Sequence, residues 1–432
     1  MRTHWHFAFA RLLGSAVVSQ ALLSAASLVI GLVLIRRTSD LQYGYFILAS
    51  NAILLLASLQ NAFFGPALAA RLSRLEVAQR SALVGGLYRE QRRILWAAGG
   101  LVAAGALGLW YANVLDSHNG PLLLATVFAA LTILHREYFR MVLFAYRRPH
   151  DVLRSDVVHV ALLVAGVLIA TLTLLPAVAA VFTLGAAALA SGLLLSRALR
   201  RHQAWRVDGA VGILREIAPL AVWSTAGAAI HWTFSQGYIY LVVGTLDLAA
   251  VAAIAATRLL LMPVNLLSSG IGSLMLPLTS GWLHRHGAAF LFRRLVWFAL
   301  GMAVLTLTYF GGLWLARDWI FAVVLKKQFA QRDALLLMWG LLFLVMVARD
   351  QLGYALSAQG RFRELTLLTL ASALVSLSAS YLAMLKFGVV GALAGMLVGE
   401  LISVAGIVWL ATRRPAPPVM ATAPGLPERA GA

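Results

Sequence analysis

Long apolar runs alternate with short polar segments along the chain. Most of these runs contain close to 20 residues, about the number that an α-helix needs to cross a bilayer. The pattern therefore predicts an all-α, polytopic membrane protein with about twelve membrane-spanning helices. In the first half they are predicted over residues 12–35, 43–68, 94–115, 121–146 and, divided near Pro176, 157–196. In the second half they are predicted over residues 217–244, 248–278 and 295–315, in a run around residue 349, and in two runs that meet near Lys386.

The polar segments predict how these helices are oriented. Arginine is concentrated in every second segment, over residues 69–93, 147–156, 197–215 and 281–294. Most of the intervening segments carry little charge, although residues 317–332 are net positive. Because Lys and Arg accumulate in cytoplasmic loops, we place the arginine-rich segments and both termini in the cytoplasm.

The basic segment in the middle of the chain divides it into two lobes of six helices. We expect an N-terminal lobe over residues 1–200, a basic cytoplasmic linker over 201–214 and a C-terminal lobe over 215–412. Residues 413–432 are rich in Pro and Ala, which is typical of a disordered tail.

The two lobes share sequence features that indicate an internal repeat. An offset of 213 residues places Arg136 and Glu137 on Arg349 and Asp350. The turn TSDLQYGYF after the first helix is similar to GTLDLAAVAA after the seventh, since each places Asp-Leu before the next helix. Two related halves are typical of secondary transporters.

The composition supports a membrane protein and limits the classes of partner that we expect for it. Hydrophobic residues make up 61% of the chain and charged residues 12%, against about 25% charged residues in soluble domains. The net charge of +19 is accounted for by the cytoplasmic loops, so we expect no nucleic-acid partner. The chain has no cysteine, and we expect no cofactor and no metal site.

A charged group lies inside the fourth predicted helix. Arg136 is roughly 22 Å along that helix from Pro121, too deep for easy snorkelling. Each such charge costs about 2.5–3.5 kcal/mol at a helix centre, so Arg136, Glu137 and Arg140 must face protein or water. Either Glu137 neutralises Arg140 and the group holds helices together, or the arginines line a transport cavity.

Further polar residues lie inside the C-terminal lobe. Arg349 and Asp350 share one predicted helix, and Arg258 has no acidic neighbour within a helical turn. Glu400 either neutralises an arginine or carries a proton, and His231 is either a packing residue or a proton relay. Since arginines outnumber isolated acids, we expect a central cavity that binds an anion, and the planar guanidinium group suits phosphate.

Three stretches carry a resemblance to a known family: VSQALLSAASLVIGLVLIRRTSDLQYGYFILA, LQNAFFGP and HREYFRMVLFAYRRP. With them the chain resembles the polysaccharide transporter (Wzx-like) flippases of the multidrug/oligosaccharidyl-lipid/polysaccharide (MOP) exporter superfamily. The resemblance covers almost the whole chain in layout.

The resemblance implies a two-lobed, twelve-helix fold with alternating access in the bacterial inner membrane. It implies a cargo of undecaprenyl-pyrophosphate-linked oligosaccharide for surface polysaccharide, lipopolysaccharide or exopolysaccharide synthesis. The resemblance also implies a polysaccharide polymerase and other assembly proteins as candidate partners. Cargo-binding residues would be Arg136, Arg140, Arg258 and Arg349, and charge partners or coupling residues would be Glu137, Asp350, Glu400 and His231. The first helix lacks the acid that drug-exporting relatives commonly carry.

Three alternatives remain at this point, one of which is a non-transporting scaffold in an envelope-assembly complex. A multidrug exporter of the same fold would need an acidic or aromatic cavity for organic cations. A membrane glycosyltransferase or polymer ligase would need a catalytic acid, for which Asp40 and Asp247 are the candidates, although both are also typical of helix caps and turns. Under the flippase hypothesis, Arg136→Ala or Arg349→Ala should stop export while the protein stays inserted and stable.

Overall fold

Helices make up nearly all of the computed structural model, which describes residues 2–72, 75–146, 148–202 and 212–413. The first half contains α1 (Arg2–Arg37), α2 (Asp40–Leu72), α3 (Val77–Tyr111), α4 (Asn119–Ala145), α5 (Pro149–Ala170) and α6 (Pro176–His202). The second half contains α7 (Ile213–Gln236), α8 (Tyr238–Thr245), α9 (Leu248–Leu259), α10 (Met262–Leu315), α11 (Arg317–Trp319), a π-helix (Ile320–Leu325), α12 (Arg332–Ala358), α13 (Phe362–Phe387) and α14 (Val389–Thr412).

The predicted number of membrane spans is confirmed. Within the described residues, ten helical segments are long and apolar enough to cross a bilayer, and the total is 12 if each of two bent helix pairs counts as one span. One pair bends by 64° at Leu220 in α7, and the other bends by 55° between α9 and the start of α10. The protein is thus a multi-pass, all-α membrane protein. Residues 203–211 and 414–432 lie outside the described part, so most of the predicted linker and tail has no structural counterpart.

Several segments that were predicted to be loops are helical in the structure, so this part of the prediction is wrong. Residues 77–93 belong to α3, whose first turn is held by a capping box in which Gln79 Oε1 accepts the Glu76 N–H at 3.4 Å. Most of 281–294 is helical within α10, which is interrupted at Gly287 with φ of 80°. Charged residues indicate where a helix leaves the apolar phase, and the helix itself continues into water.

The prediction of one continuous seventh helix is also wrong. It divides at Gly237 into α7 and α8, and α9 begins after a separate turn. Asp247 caps α9 by accepting the Ala250 N–H at 2.7 Å, so this candidate acid has a structural use.

An exact offset relates helices of the two halves. The first residues of α4, α5 and α6 are Asn119, Pro149 and Pro176. The first residues of α12, α13 and α14 are Arg332, Phe362 and Val389, each 213 positions later. The offset suggested by the intramembrane charges therefore also holds for the helix boundaries, as expected of an internal repeat.

Glycines on α14 allow it to pack closely on α13. A Cβ atom on Gly395 would lie 2.1 Å from the Ser380 backbone N, and one on Gly399 would lie 2.4 Å from the Ser376 Cβ. Small residues at such spacing let membrane helices approach until their backbones touch. This contact fixes the hairpin that carries Glu400.

Gly395→Leu is expected to prevent stable folding, because a large side chain would have to occupy backbone space. The loss in free energy of unfolding should be at least the roughly 1–3 kcal/mol that overpacking costs in protein cores. The matched control is Gly100→Leu on α3, where a Cβ meets no atom within 4 Å. Fluorescence-detected size exclusion in detergent should show a collapsed peak for the first variant and a normal peak for the second. Equal peaks would contradict the close packing.

The halves touch at the end of the molecule that carries the α1–α2 turn, which the charge pattern predicts to be external. Nζ of Lys327 lies 2.6 Å from Oδ1 of Asp40. A Cβ on Gly44 would lie 2.4 Å from the carbonyl oxygen of Leu248, so α2 and α9 are in backbone contact. Any passage opening at this end must separate these contacts.

Asp40→Lys is expected to loosen this end by placing two like charges together. The wild-type chain has no cysteine, so a single Ala252→Cys label on α9, 1% exposed, reports opening there. Because exposed ion pairs contribute about 0.2–1 kcal/mol, maleimide labelling should rise about two- to fivefold. Adding Lys327→Asp should return the rate toward its original value. An unchanged rate in the single reversal would show that the ion pair does not hold the end closed.

Candidate functional site

A cluster of four charges lies inside the first half. On α4, Arg136 Nη1 donates to Glu137 Oε1 at 2.7 Å, and Arg140 Nη1 lies 3.6 Å from Glu137 Oε2. Asp156 on α5 faces both arginines, since Oδ1 accepts from Arg136 Nη2 and Oδ2 lies 3.4 Å from Arg140 Nε. Ser19 on α1 donates to Asp156 and accepts from Arg140 Nη2 at 3.3 Å. The cluster thus joins α1, α4 and α5.

The cluster extends to α6 through hydroxyl groups. Arg136 Nε donates to Ser191 Oγ at 2.9 Å, and the hydroxyls of Ser155 and Ser191 lie 2.7 Å apart. The Asp156 side chain is 0% exposed and that of Arg136 is 5% exposed. Two guanidinium groups therefore face two carboxylates in a nearly dry setting, in which each ion needs its partner.

Sequence reasoning missed Asp156. It was assigned to the cytoplasmic loop 147–156, but α5 begins at Pro149 and carries Asp156 into the packed interior. One signal was present: Ser155, Asp156 and His159 recur at helical spacing, and all three are buried. With Asp156 included, the expected excess of arginines does not hold for this cluster.

A second cluster lies inside the C-terminal half. Arg349 Nη1 donates to Glu400 Oε1 on α14 at 2.6 Å. Arg349 Nη2 and Nε both donate to Oδ1 of the neighbouring Asp350, at 2.8 and 3.2 Å. The Arg349 guanidinium also lies 5.5 Å from the centre of the Phe234 ring. Here two carboxylates face one arginine, and Glu400, 3% exposed, is the more buried of the two.

A cavity of about 210 Å³ adjoins this second cluster. Its walls come from α7, α12, α13 and α14 and include His231, Arg349 and Asp350. It reaches Ser357 near the end of α12 and Leu365 near the start of α13. By the predicted topology this is the cytoplasmic end of the half. The structure thus brings three of the predicted site residues to one cavity.

Arg258 on α9 differs from the other intramembrane arginines. Its Nη1 donates to Gln236 Oε1 at 2.8 Å and to the Tyr238 hydroxyl at 3.4 Å, and its guanidinium lies 5.4 Å from the centre of the Trp339 ring. No carboxylate of the described residues lies within the 4.0 Å of an ion pair with Arg258. Because α9 packs against α1 and α2 of the other half, this half-buried arginine lies next to the contact between the halves.

The predicted site residues therefore fall into three groups. Arg136, Glu137 and Arg140 form one group within the first half. Arg349, Asp350, Glu400 and His231 form another within the second half. Arg258 stands apart at the contact between the halves.

No known family profile and no curated protein match this chain. Solved structures of membrane transporters do match. The lipid II flippase MurJ in its inward closed conformation has a TM-score of 0.75 at 11% identity, covering 93% of this chain and 88% of that one. An inward-facing multidrug-resistance transporter of the MATE family of the MOP superfamily has a TM-score of 0.72 at 13% identity, covering 91% and 97%. A MOP-superfamily transporter from Pyrococcus furiosus has a TM-score of 0.63 at 12% identity, covering 93% and 94%.

These likenesses show the fold of the chain. It has the MOP-superfamily transporter fold over at least nine tenths of its length. The three similar structures are two transporters and a lipid II flippase.

Proposed function

We propose that the protein flips polyprenyl-pyrophosphate-linked oligosaccharide from the cytoplasmic to the outer leaflet of the bacterial inner membrane, by alternating access between its halves. The observation that carries this proposal is Arg258, a half-buried arginine whose partners among the described residues are neutral, beside the contact between the halves. The likeness to a lipid II flippase supports a lipid-linked cargo. The same proposal gives the protein the bilayer, a polysaccharide polymerase and other assembly proteins as partners.

The geometry of Arg258 suits a pyrophosphate group. Its recorded hydrogen bonds to described residues all come from Nη1, which leaves the Nε and Nη2 edge for a bidentate contact with phosphate oxygens. Charge-assisted, bidentate bonds of this kind are the strong ones, and lysine cannot form them. Gln236 and the Tyr238 hydroxyl hold the guanidinium in place without neutralising it.

The other arginines are secondary contacts in this proposal. Arg136, Arg140 and Arg349 already face carboxylates, so a phosphate would compete with those acids and bind more weakly than at Arg258. Their carboxylate partners, Glu137 and Glu400 among them, are the proposed charge partners or coupling groups, with Asp350 and His231 beside the cavity. Binding an anion there would release a carboxylate, which is one way to link cargo to a coupling ion.

The first test is deletion of the gene in its native host, complemented by wild type or by Arg258→Gln. Loss of surface polymer, with complete lipid-linked repeat units accumulating on the cytoplasmic leaflet, is the expected result for the deletion and for Arg258→Gln. Wild type should restore export. Unaltered polysaccharide in the deletion strain would overturn the proposal.

A second candidate function is export of organic cations. The observation that favours it is the Asp350 carboxylate, whose side chain is 38% exposed, beside the aromatic Phe234 and Tyr354 in the cavity wall. A deletion strain with intact polysaccharide and new sensitivity to cationic drugs would favour this function. Incomplete sugar chains would favour an enzyme. That class loses support, because Asp40 pairs with Lys327 and Asp247 caps α9.

A further inference from the structure

The cavity of the C-terminal half is lined by hydrogen-bonding groups along one face of α12. Asp350, Tyr354 and Ser357 recur at helical spacing and all line it. Arg349 occupies Oδ1 of Asp350, and no described residue has a recorded bond to Oδ2. The Tyr354 hydroxyl has no recorded partner in the described part either. The opposite walls are the Phe234 ring and the Thr369 hydroxyl.

The internal repeat explains why a cavity lies here and why the first half is filled at the same place. The offset of 213 residues maps Asp156 of α5 onto Thr369 of α13. In the first half, the carboxylate on the second helix of the hairpin fills the space beside the arginine and neutralises it. In the second half that position holds a short hydroxyl side chain, and the neutralising Glu400 reaches Arg349 from α14 instead. Space therefore remains between α12 and α13.

The chemistry of these walls selects against several ligands. A phosphate would meet the Asp350 carboxylate, and Arg349 is already engaged by two acids. Among the described residues no group of three or more His, Asp or Glu is arranged to hold a metal ion. The volume of about 210 Å³ is below the roughly 300–1,000 Å³ of pockets for drug-sized molecules.

A single sugar ring meets all of these conditions. Its hydroxyl groups can donate to the free Asp350 oxygen and exchange hydrogen bonds with the Tyr354 hydroxyl. The Ser357 and Thr369 hydroxyls donate to backbone carbonyls of their own helices, so their oxygens can accept from the ring. Its C–H faces can lie on an aromatic wall, of which Phe234 and Tyr354 offer two. The ring is neutral, so it leaves the Arg349–Glu400 pair intact.

We propose that this cavity binds one neutral sugar residue of the cargo and so makes the protein sensitive to the glycan as well as to the pyrophosphate. The inference rests on the proposed function, because it assigns the sugar end of the same cargo. The anion contact at Arg258 and the sugar contact at Asp350 are separate sites. Their contributions to affinity can therefore be removed one at a time.

The test compares two probes on the purified full-length protein in nanodiscs. One is undecaprenyl pyrophosphate, and the other is the same lipid carrying a neutral tetrasaccharide, long enough to span the roughly 16 Å of α12 between Trp339 beside Arg258 and Asp350 in the cavity. The wild type is expected to bind the sugar-bearing lipid about tenfold more tightly, the gain from one or two hydrogen bonds and a stacked face. Asp350→Asn and the cavity-filling Gly353→Leu should bring this ratio close to one.

Gly353 is suited to this test because a Cβ there meets only Ile407, at 4.0 Å. The matched control is Gly105→Leu on α3, where a Cβ meets nothing within 4 Å and where the ratio should stay at the wild-type value. If Gly353→Leu folds poorly, Asp350→Asn still tests the sugar site, because it preserves the volume of the side chain. Arg258→Gln should weaken both lipids equally and leave the ratio unchanged.

The outcomes separate the two proposals. If the bare lipid binds wild type but the added sugar brings no gain, or if neither cavity variant reduces that gain, the sugar site is overturned while the flippase proposal stands. If only the sugar-bearing lipid binds, and Gly353→Leu abolishes this, the sugar site stands and the pyrophosphate contact at Arg258 fails. Binding of neither lipid, with Asp350-dependent binding of tetraphenylphosphonium, would overturn both in favour of a cation exporter.

Discussion

Asp156→Ala is expected to destabilise the protein by about 3–5 kcal/mol, the usual result of removing one partner from a buried ion pair. The variant leaves Arg136, whose side chain is 5% exposed, with Glu137 as its remaining acid and takes the nearest carboxylate from Arg140. It also removes the acceptor of the Ser19 hydroxyl and so loosens α1. Thermal unfolding in detergent, followed by tryptophan fluorescence, would measure the loss.

Two controls make this result specific. Asp350→Ala should cost much less, because the Asp350 side chain is 38% exposed and Glu400 still holds Arg349. The double variant Arg136→Met/Asp156→Leu should recover a large part of the stability, since it removes both charges and keeps apolar volume. A melting temperature unchanged in Asp156→Ala would show that the four-charge cluster contributes nothing to the fold.

The same cluster changes what Arg136→Ala would report. Sequence reasoning expected that variant to stay inserted and stable while export stopped. In the structure it leaves Asp156, 0% exposed, with Arg140 at 3.4 Å as its remaining cation. Loss of export in Arg136→Ala would thus follow from a destabilised protein as readily as from a missing cargo contact.

Arg258→Gln is expected to abolish export while the protein stays folded. Glutamine retains hydrogen-bonding ability near Gln236 and Tyr238, and no described carboxylate within ion-pair distance loses a partner. Affinity for undecaprenyl pyrophosphate should fall about 30- to 100-fold, which corresponds to about 2–3 kcal/mol for a lost bidentate, charge-assisted contact. Binding and melting temperature are measured on the same preparation.

Arg258→Lys is the matched variant, because it keeps the charge and loses the fork. It should recover part of the affinity and part of the export. Wild-type binding by Arg258→Gln would remove Arg258 from the cargo site. A low melting temperature of Arg258→Gln would instead assign Arg258 a structural role beside Trp339.

The apolar pattern predicted the number of membrane spans, because the thickness of the bilayer sets the length of each apolar run. It did not predict where helices end. The arginine-rich stretch after residue 77 belongs to α3, because a helix satisfies its own backbone whether it lies in lipid or in water. The breaks at Gly237 and after Leu259 were missed as well, because an apolar run reads the same whether its helix is straight or bent.

The rarity of intramembrane charges was enough to single out Arg136, Arg349 and Glu400 from sequence. Their pairing was not predictable, since it depends on which helices pack together. Glu400 lies 51 residues from Arg349 along the chain and meets it only because α14 returns beside α12. Asp156 was not recognised as a buried charge, because the basic loop was predicted to extend to its position. The repeat was visible from two charge pairs, and the structure extends it to three helix starts.

The four-charge cluster also bears on how the protein is made. Arg136 and Arg140 leave the ribosome ahead of Asp156, which follows Arg136 by 20 residues. During that interval Glu137 is the only acid of the cluster that α4 itself carries, and α4 alone is a poor substrate for lateral release into lipid. Biogenesis should therefore retain α4 at the translocon until α5 arrives, so that the two helices enter the bilayer together with the charges of the cluster balanced.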